Sequence, residues 1–189
     1  MTMISARWLF TLIAILGAGC ANTVIAKFPE VYPPPAGKPD ATKVGLAPVA
    51  DSRRDESAGW NAGNVPIVAG PEFTHYIEHK FRSQMVEEGF APIDAPNPAS
   101  GTNPPPCKTI LITLQSTNFG NSGTVTTHEI ASTDIAVQVF APGSRTIVFA
   151  QSYQGTHREN GDPGRLLAAA ADWAIDQAFA DKAFLEALR

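Results

Sequence analysis

The sequence predicts an α+β domain, a mainly antiparallel sheet of about five strands with two helices packed on one face. Three observations predict it. Phe73, Ile77 and Phe81 recur every four residues, which is the stripe of an amphipathic helix. Strand-like runs then follow one another from Lys108 to Gly155, joined by short turns. Finally, an alanine-rich helix follows Asp162-Pro163, a side-chain cap with proline at the first helical position. Helices separated by an antiparallel run of strands belong to the α+β class.

Taken in order, residues 1–19 read as an export signal. Arg7 supplies a positive charge, Trp8 to Leu16 are apolar, and Gly17-Ala18-Gly19 precede Cys20. An apolar run of about ten residues is too short to cross a bilayer core. Small residues directly before a cysteine resemble the lipobox of bacterial lipoproteins, whose cysteine becomes the lipidated first residue. Gly17 departs from the usual leucine of that motif, with Leu16 one place back. Two alternatives stand beside it: an ordinary signal cut after Val24-Ile25-Ala26, and a Cys20 that is simply a buried apolar cysteine. Residues 20–41 contain Pro33-Pro34-Pro35 and no apolar periodicity, and read as a semi-rigid tether.

Residues 42–189 form the expected single domain. Lys43 to Ala50 is its first strand, and Asp51 to Asn64, rich in charge and glycine, a loop. The first helix begins at Gly70-Pro71-Glu72 and ends at Gly89, with Phe90 to Ile93 a short strand after it. Asp94 to Pro106 is a loop by composition. Lys108 to Phe119, Thr124 to Phe140 and Thr146 to Gly155 form a meander, turning once at Pro142-Gly143. The last helix carries Leu166, Leu167, Ala170, Ala171, Ala174, Ala178 and Phe179, and Asp181 to Leu188 adds a last turn or short helix. The sheet face opposite the helices is a candidate partner surface.

Charge and cysteine usage exclude several classes. Without residues 1–19, whose one charge is Arg7, 13 basic residues stand against 18 acidic ones, a net charge of −5. An acidic chain with scattered basic residues has no electrostatic footprint for nucleic acid or anionic lipid. With Cys20 lipidated, Cys107 is the remaining thiol, so no internal disulfide can form and Cys107 reads as a buried structural residue.

Few residues suggest chemistry. His75-Tyr76-Ile77-Glu78-His79 spells H-x-x-E-H, which in inverted zinc peptidases sets two histidines on the metal and a glutamate on water. This makes a zinc-dependent hydrolase the alternative function. On a helix, though, His75 and His79 lie about 200° and 240° from Phe73, away from the apolar stripe. A catalytic zinc also needs a third protein ligand, for which Glu129 is available but unplaced. The loop Asp51-Ser52-Arg53-Arg54-Asp55-Glu56 offers Asp51, Arg53 and Asp55 as a contact site, or as an arginine–carboxylate network shaping the turn. His128 and His157 are isolated; Trp60 and Trp173 are either core or surface anchors. Phosphate-cradling loops, nucleophile elbows and cysteine–histidine clusters are absent, so no cofactor is implied.

The lipobox-like Cys20, the proline-bearing tether, Val49-Ala50-Asp51-Ser52-Arg53-Arg54-Asp55 and Gly59 resemble the YajG-like family of bacterial lipoproteins. So do the helix ending at Gly89-Phe90, the three-stranded run, and Phe184-Leu185 with Leu188 at the close. The long proline loop at 94–106 departs from that pattern. The resemblance implies an envelope lipoprotein of α+β fold and carries over no catalytic residues. Ala21 is not the aspartate that resembles an inner-membrane retention signal, so the analogy implies an outer-membrane anchor facing the periplasm. The expectation is a lipid-anchored binding or accessory factor of envelope assembly or transport, with the membrane and an envelope protein as partners.

Overall fold

A computed structural model describes residues 23–30, 40–61, 63–100, 104–122 and 128–189. Cys20 and Pro33-Pro34-Pro35 lie outside the described residues. The expected meander is present: β7 (Thr109–Ser122), β8 (His128–Phe140) and β9 (Ile147–Arg158) pair antiparallel, with β7 and β9 running further than expected and the expected start of the middle strand, 124–127, outside the described residues. Its register runs from Thr109 opposite Phe140 to Ser122 opposite His128, with one bulge between Leu114 and Ser116.

The other edge of β7 is shared by three short parallel strands. β2 (Thr42–Leu46) pairs at Thr109 and Ile110, β3 (Ala50–Asp51) at Thr113 and Leu114, and β4 (Ser57–Trp60) at Phe119. Beyond β2 lies β6 (Phe90–Asp94), in parallel; beyond β4 lies antiparallel β5 (Pro66–Val68), and beyond that β1 (Val24–Ile25). Pro92 is compatible with β6 because that strand pairs only with β2 and lies at an edge.

The sheet is therefore mixed, with nine strands among the described residues, rather than mainly antiparallel with about five. The undercount has a physical cause. β1, β3, β4 and β5 are two to four residues long, too short for an alternating pattern to emerge. Three helices replace the expected two with a closing turn: α1 (Pro71–Glu87), α2 (Pro163–Ala180) and α3 (Lys182–Leu188). Asp162 caps α2 by accepting from the Arg165 N–H, and Asp181 caps α3 by accepting from the Ala183 N–H.

Helix α1 buries Phe73, Tyr76, Ile77, Phe81 and Met85, and α2 buries the expected leucine and alanine stripe. Phe81, Phe179, Phe184 and Phe149 form a continuous aromatic cluster joining both long helices to α3 and β9. Two tyrosines pin this layer. Tyr76 donates to Asp172 at 2.9 Å and Tyr153 donates to Asp181 at 2.8 Å. Burial, and then the carboxylate beside each, pushes both phenols well above their usual range. The α2 backbone comes so close to β9 at Gly155 that a β-carbon there would collide with the Ala170 carbonyl.

Within residues 20–41, the described part from Val24 to Phe28 packs on the domain. Val24 and Ile25 form a strand, the Ala26 N–H donates to the Val68 carbonyl at 2.8 Å, and Phe28 stacks on Phe73 at 4.7 Å. The Lys27 carbonyl fits against Gly164, where a side chain would displace it. Composition shows no apolar period here because each of these residues finds a non-local partner.

Gly155→Ala is expected to destabilise the domain by about 3 kcal/mol, because backbone rather than a flexible side chain must give way. Urea unfolding measures this; a change within error would mean that α2 sits further from the sheet.

Candidate functional site

The loop after β3 is organised by Arg53, whose side chain is 4% exposed. Its guanidinium grips Asp51 with Nε and Nη2, the closest contact being 2.6 Å, and Nη2 also donates to the Ala69 carbonyl at 2.9 Å. Nη1 donates to Thr117 Oγ1 at 3.1 Å. One residue thus ties the β3–β4 connection to β7 and to the segment entering α1. The Arg53 hydrogen bonds hold the Asp51 carboxyl below its usual range. Asp55 is separate: it accepts from the Ser57 N–H and closes the turn into β4. Asp51 and Arg53 are brought together, with Asp55 beside them rather than among them. Arg54 is exposed and lines a small cleft of about 180 Å³ with Asp55, Gln115 and Ser116.

The H-x-x-E-H residues are divided between two grooves. His75 and His79, both exposed, line a groove of about 490 Å³ with Glu72, Tyr76 and the segment from Ile25 to Pro29. Glu78 lines a different groove beside Leu46 and Asp94, and pairs with Arg82 at 3.3 Å. Glu129 accepts from the Gly161 N–H at the turn into α2. Among the described residues, no group of three or more His, Cys, Asp or Glu side chains is arranged to hold a metal. His157 lies 3.3 Å from Glu159, which also accepts from Arg165 at 2.9 Å; Arg165 first, then His157, hold that carboxyl below its usual range. Cys107 is half-buried and unpaired with another cysteine, its sulfur within van der Waals reach of a side chain at Gly45.

Over most of its rows the face of the meander opposite the helices is polar, with Leu111, Phe140 and Ala47 forming a small apolar cluster at one end. By register, Thr113, Ala136 and Ser152 form one row, Ser116, Asp134 and Gln154 the next, and Asn118, Ser132 and Thr156 a third. Ser116 donates to one Asp134 oxygen, while the other is buried without a hydrogen-bond partner. A shallow depression of about 500 Å³ lies beside these rows, lined by Gln115, Gln138, Gln151 and Ser152. Such a face suits a polar partner better than an apolar one. Large apolar groups are exposed elsewhere, notably Ile25 at 66%, Trp60 at 57% and Trp173 at 59%. Trp60 and Trp173 therefore belong to the surface. Sequence reasoning missed Ile25, whose exposure follows from a strand too short to be read.

No protein-family model and no curated protein matches the chain. Solved structures are similar in fold. The hypothetical protein CT253 from Chlamydia trachomatis is 9% identical, with 74% of this chain and 94% of that chain covered and a TM-score of 0.50. Protein XCC0632 from Xanthomonas campestris, of family DUF330, is 12% identical over 88% of this chain and 93% of that one, with a TM-score of 0.48. Lipoprotein GNA1162 from Neisseria meningitidis is 10% identical over 74% and 99%, with a TM-score of 0.41. The solved structures similar to this chain thus include bacterial lipoproteins.

Asp51→Ala leaves a buried guanidinium without its carboxylate and is expected to cost about 2 kcal/mol at pH 7, less than a fully buried pair because Asp51 is 34% exposed. The depressed carboxyl stabilises the fold above the ordinary carboxylate range, near 3.9 for a free Asp, and that stability is lost as pH falls through the folded value. Urea titrations at neutral and acid pH should show a shallower acid loss in the variant; parallel curves would exclude Asp51 as a source of acid sensitivity.

Proposed function

We propose that this chain is a lipid-anchored bacterial envelope protein, acylated at Cys20, that acts by binding as an accessory to envelope assembly or transport. Its expected place is the periplasmic side of the outer membrane. The observation that carries the reading is the docking of residues 24–28. Processing at Cys20 keeps β1, the buried Ala26 and the Phe28–Phe73 stack intact. A cut after Ala26 would remove a strand and the Ala26 hydrogen bond to Val68. The fold therefore favours the first processing site over the second. Among the described residues no helix is long and apolar enough to cross a membrane.

Binding is favoured over catalysis by the division of the H-x-x-E-H residues. The glutamate that would activate water is engaged with Arg82 and lines a different groove from the histidines. The polar sheet face and the Arg54 cleft are the surfaces offered to an envelope protein.

Mass spectrometry of the mature N-terminus is expected to find an acylated Cys20, and Cys20→Ser to move the protein from the membrane to the soluble fraction. A Cys20→Ser chain still processed and still membrane-bound would defeat the anchor.

A further inference from the structure

We infer that the outer face of the β1–β5–β4 corner rests on the lipid surface, with Trp60 and Ile25 as its interfacial contacts. This inference rests on the lipid-anchored reading and adds an orientation to it. Strand register fixes the geometry. Val24 pairs with Ile67 and Ile25 with Val68, while Trp60 pairs with Pro66. Directly paired residues share a face, and positions two apart on one strand share it too. Ile25, Val68, Pro66 and Trp60 consequently lie on one side of the sheet, while Ile67, fully buried, marks the core side. Two strand spacings and two residues separate Ile25 from Trp60, roughly 12 Å between α-carbons.

Covalent reach brings the anchor to this corner. Four peptide units join Cys20 to Val24, so their α-carbons are at most about 14 Å apart. β1 runs parallel to β5, so its N-terminal end lies at the end of the corner where Pro66 meets Trp60. A lipid on Cys20 cannot leave the bilayer, and that leash holds this corner at the headgroup level.

Charge fits the same orientation. Residues 57–70 (SAGWNAGNVPIVAG) and 20–26 (CANTVIA) contain no charged side chain, in a chain whose acidic residues otherwise outnumber its basic ones. Glu56 and Glu72 approach Gly70 beyond the Val68 end of the corner, so it is the Pro66–Trp60 end, nearest the anchor, that escapes the repulsion an acidic surface would meet at an anionic leaflet. An exposed tryptophan beside an exposed isoleucine is the composition that the membrane interface favours, the indole ring apolar with one N–H toward water.

Trp60 and Trp173 are the tryptophans left once residues 1–19 are removed, which makes the inference directly measurable. The acylated full mature chain is reconstituted on phosphatidylethanolamine–phosphatidylglycerol vesicles, with or without bromine on the acyl chains. Trp173→Phe leaves Trp60 as the reporter, and Trp60→Phe leaves Trp173. Trp60 emission should shift to the blue and lose about half its intensity or more on brominated vesicles, as for an indole at the interface. Trp173 emission, from the outer side of α2, should be unchanged. Trp60 unquenched in protein that co-sediments with the vesicles, or both tryptophans quenched alike, would overturn the orientation and leave the anchor standing. A mature chain lacking the acyl mass and remaining in solution would overturn both.

Discussion

The fold depends on one strand finding partners for both of its edges. β7 spans fourteen residues, and its buried backbone N–H and C=O groups must be paired on each side. On one side β8 does this almost without interruption. On the other, β2, β3 and β4 share the task in relay, each touching only one or two residues of β7. A relay of short strands has little cooperative strength of its own, because each must be brought into place separately. Arg53 supplies what the ladder lacks, since its guanidinium spans the gap between β3 and β4 and binds Thr117 on β7 itself. The paired charge at the β3 end is thus part of the sheet's construction.

The helical layer follows from that sheet. α2 lies over β8 and β9 on alanines and on Gly155, and the thin helix face admits the aromatic cluster at its C-terminal end. Tyr76 and Tyr153 sit at the margins of this layer, each anchored to a carboxylate from the region of α2. The opposite sheet face is left without a helical cover and carries hydroxyl and amide side chains, apart from the small cluster of Leu111, Phe140 and Ala47 at one end.

Long periodic elements were legible from residues alone: β7 to β9, the Phe73–Ile77–Phe81 helix, and the Asp162-Pro163 helix start. Their signals are local, repeated over ten residues or more. The short strands were not, because Ser57-Ala58-Gly59-Trp60 and Val24-Ile25 acquire strand geometry only from partners distant in sequence. The candidate sites divide along the same line. Arginine among carboxylates announced a local network, and Asp51 and Arg53 form one. Its reach to Ala69 and Thr117 is tertiary and invisible in the loop itself. The spacing of H-x-x-E-H was helical, as expected, but the pull of Arg82 on Glu78 and the groove formed by residues 25–29 belong to the folded chain.

The docking of residues 24–28 changes what the proline-rich stretch can do. Residues 31–39 join Glu30 to Asp40, both ends belonging to one domain, with β1 before them and β2 after them in the same sheet. A spacer placed there cannot extend the working radius of the protein, since lengthening it moves neither end relative to the other. Under the proposed anchoring, that radius would be governed by the few residues before Val24. Were Cys20 to carry the proposed lipid, the protein would be a fixture of the bilayer surface, and whatever it engaged would have to come within a domain's width of that surface.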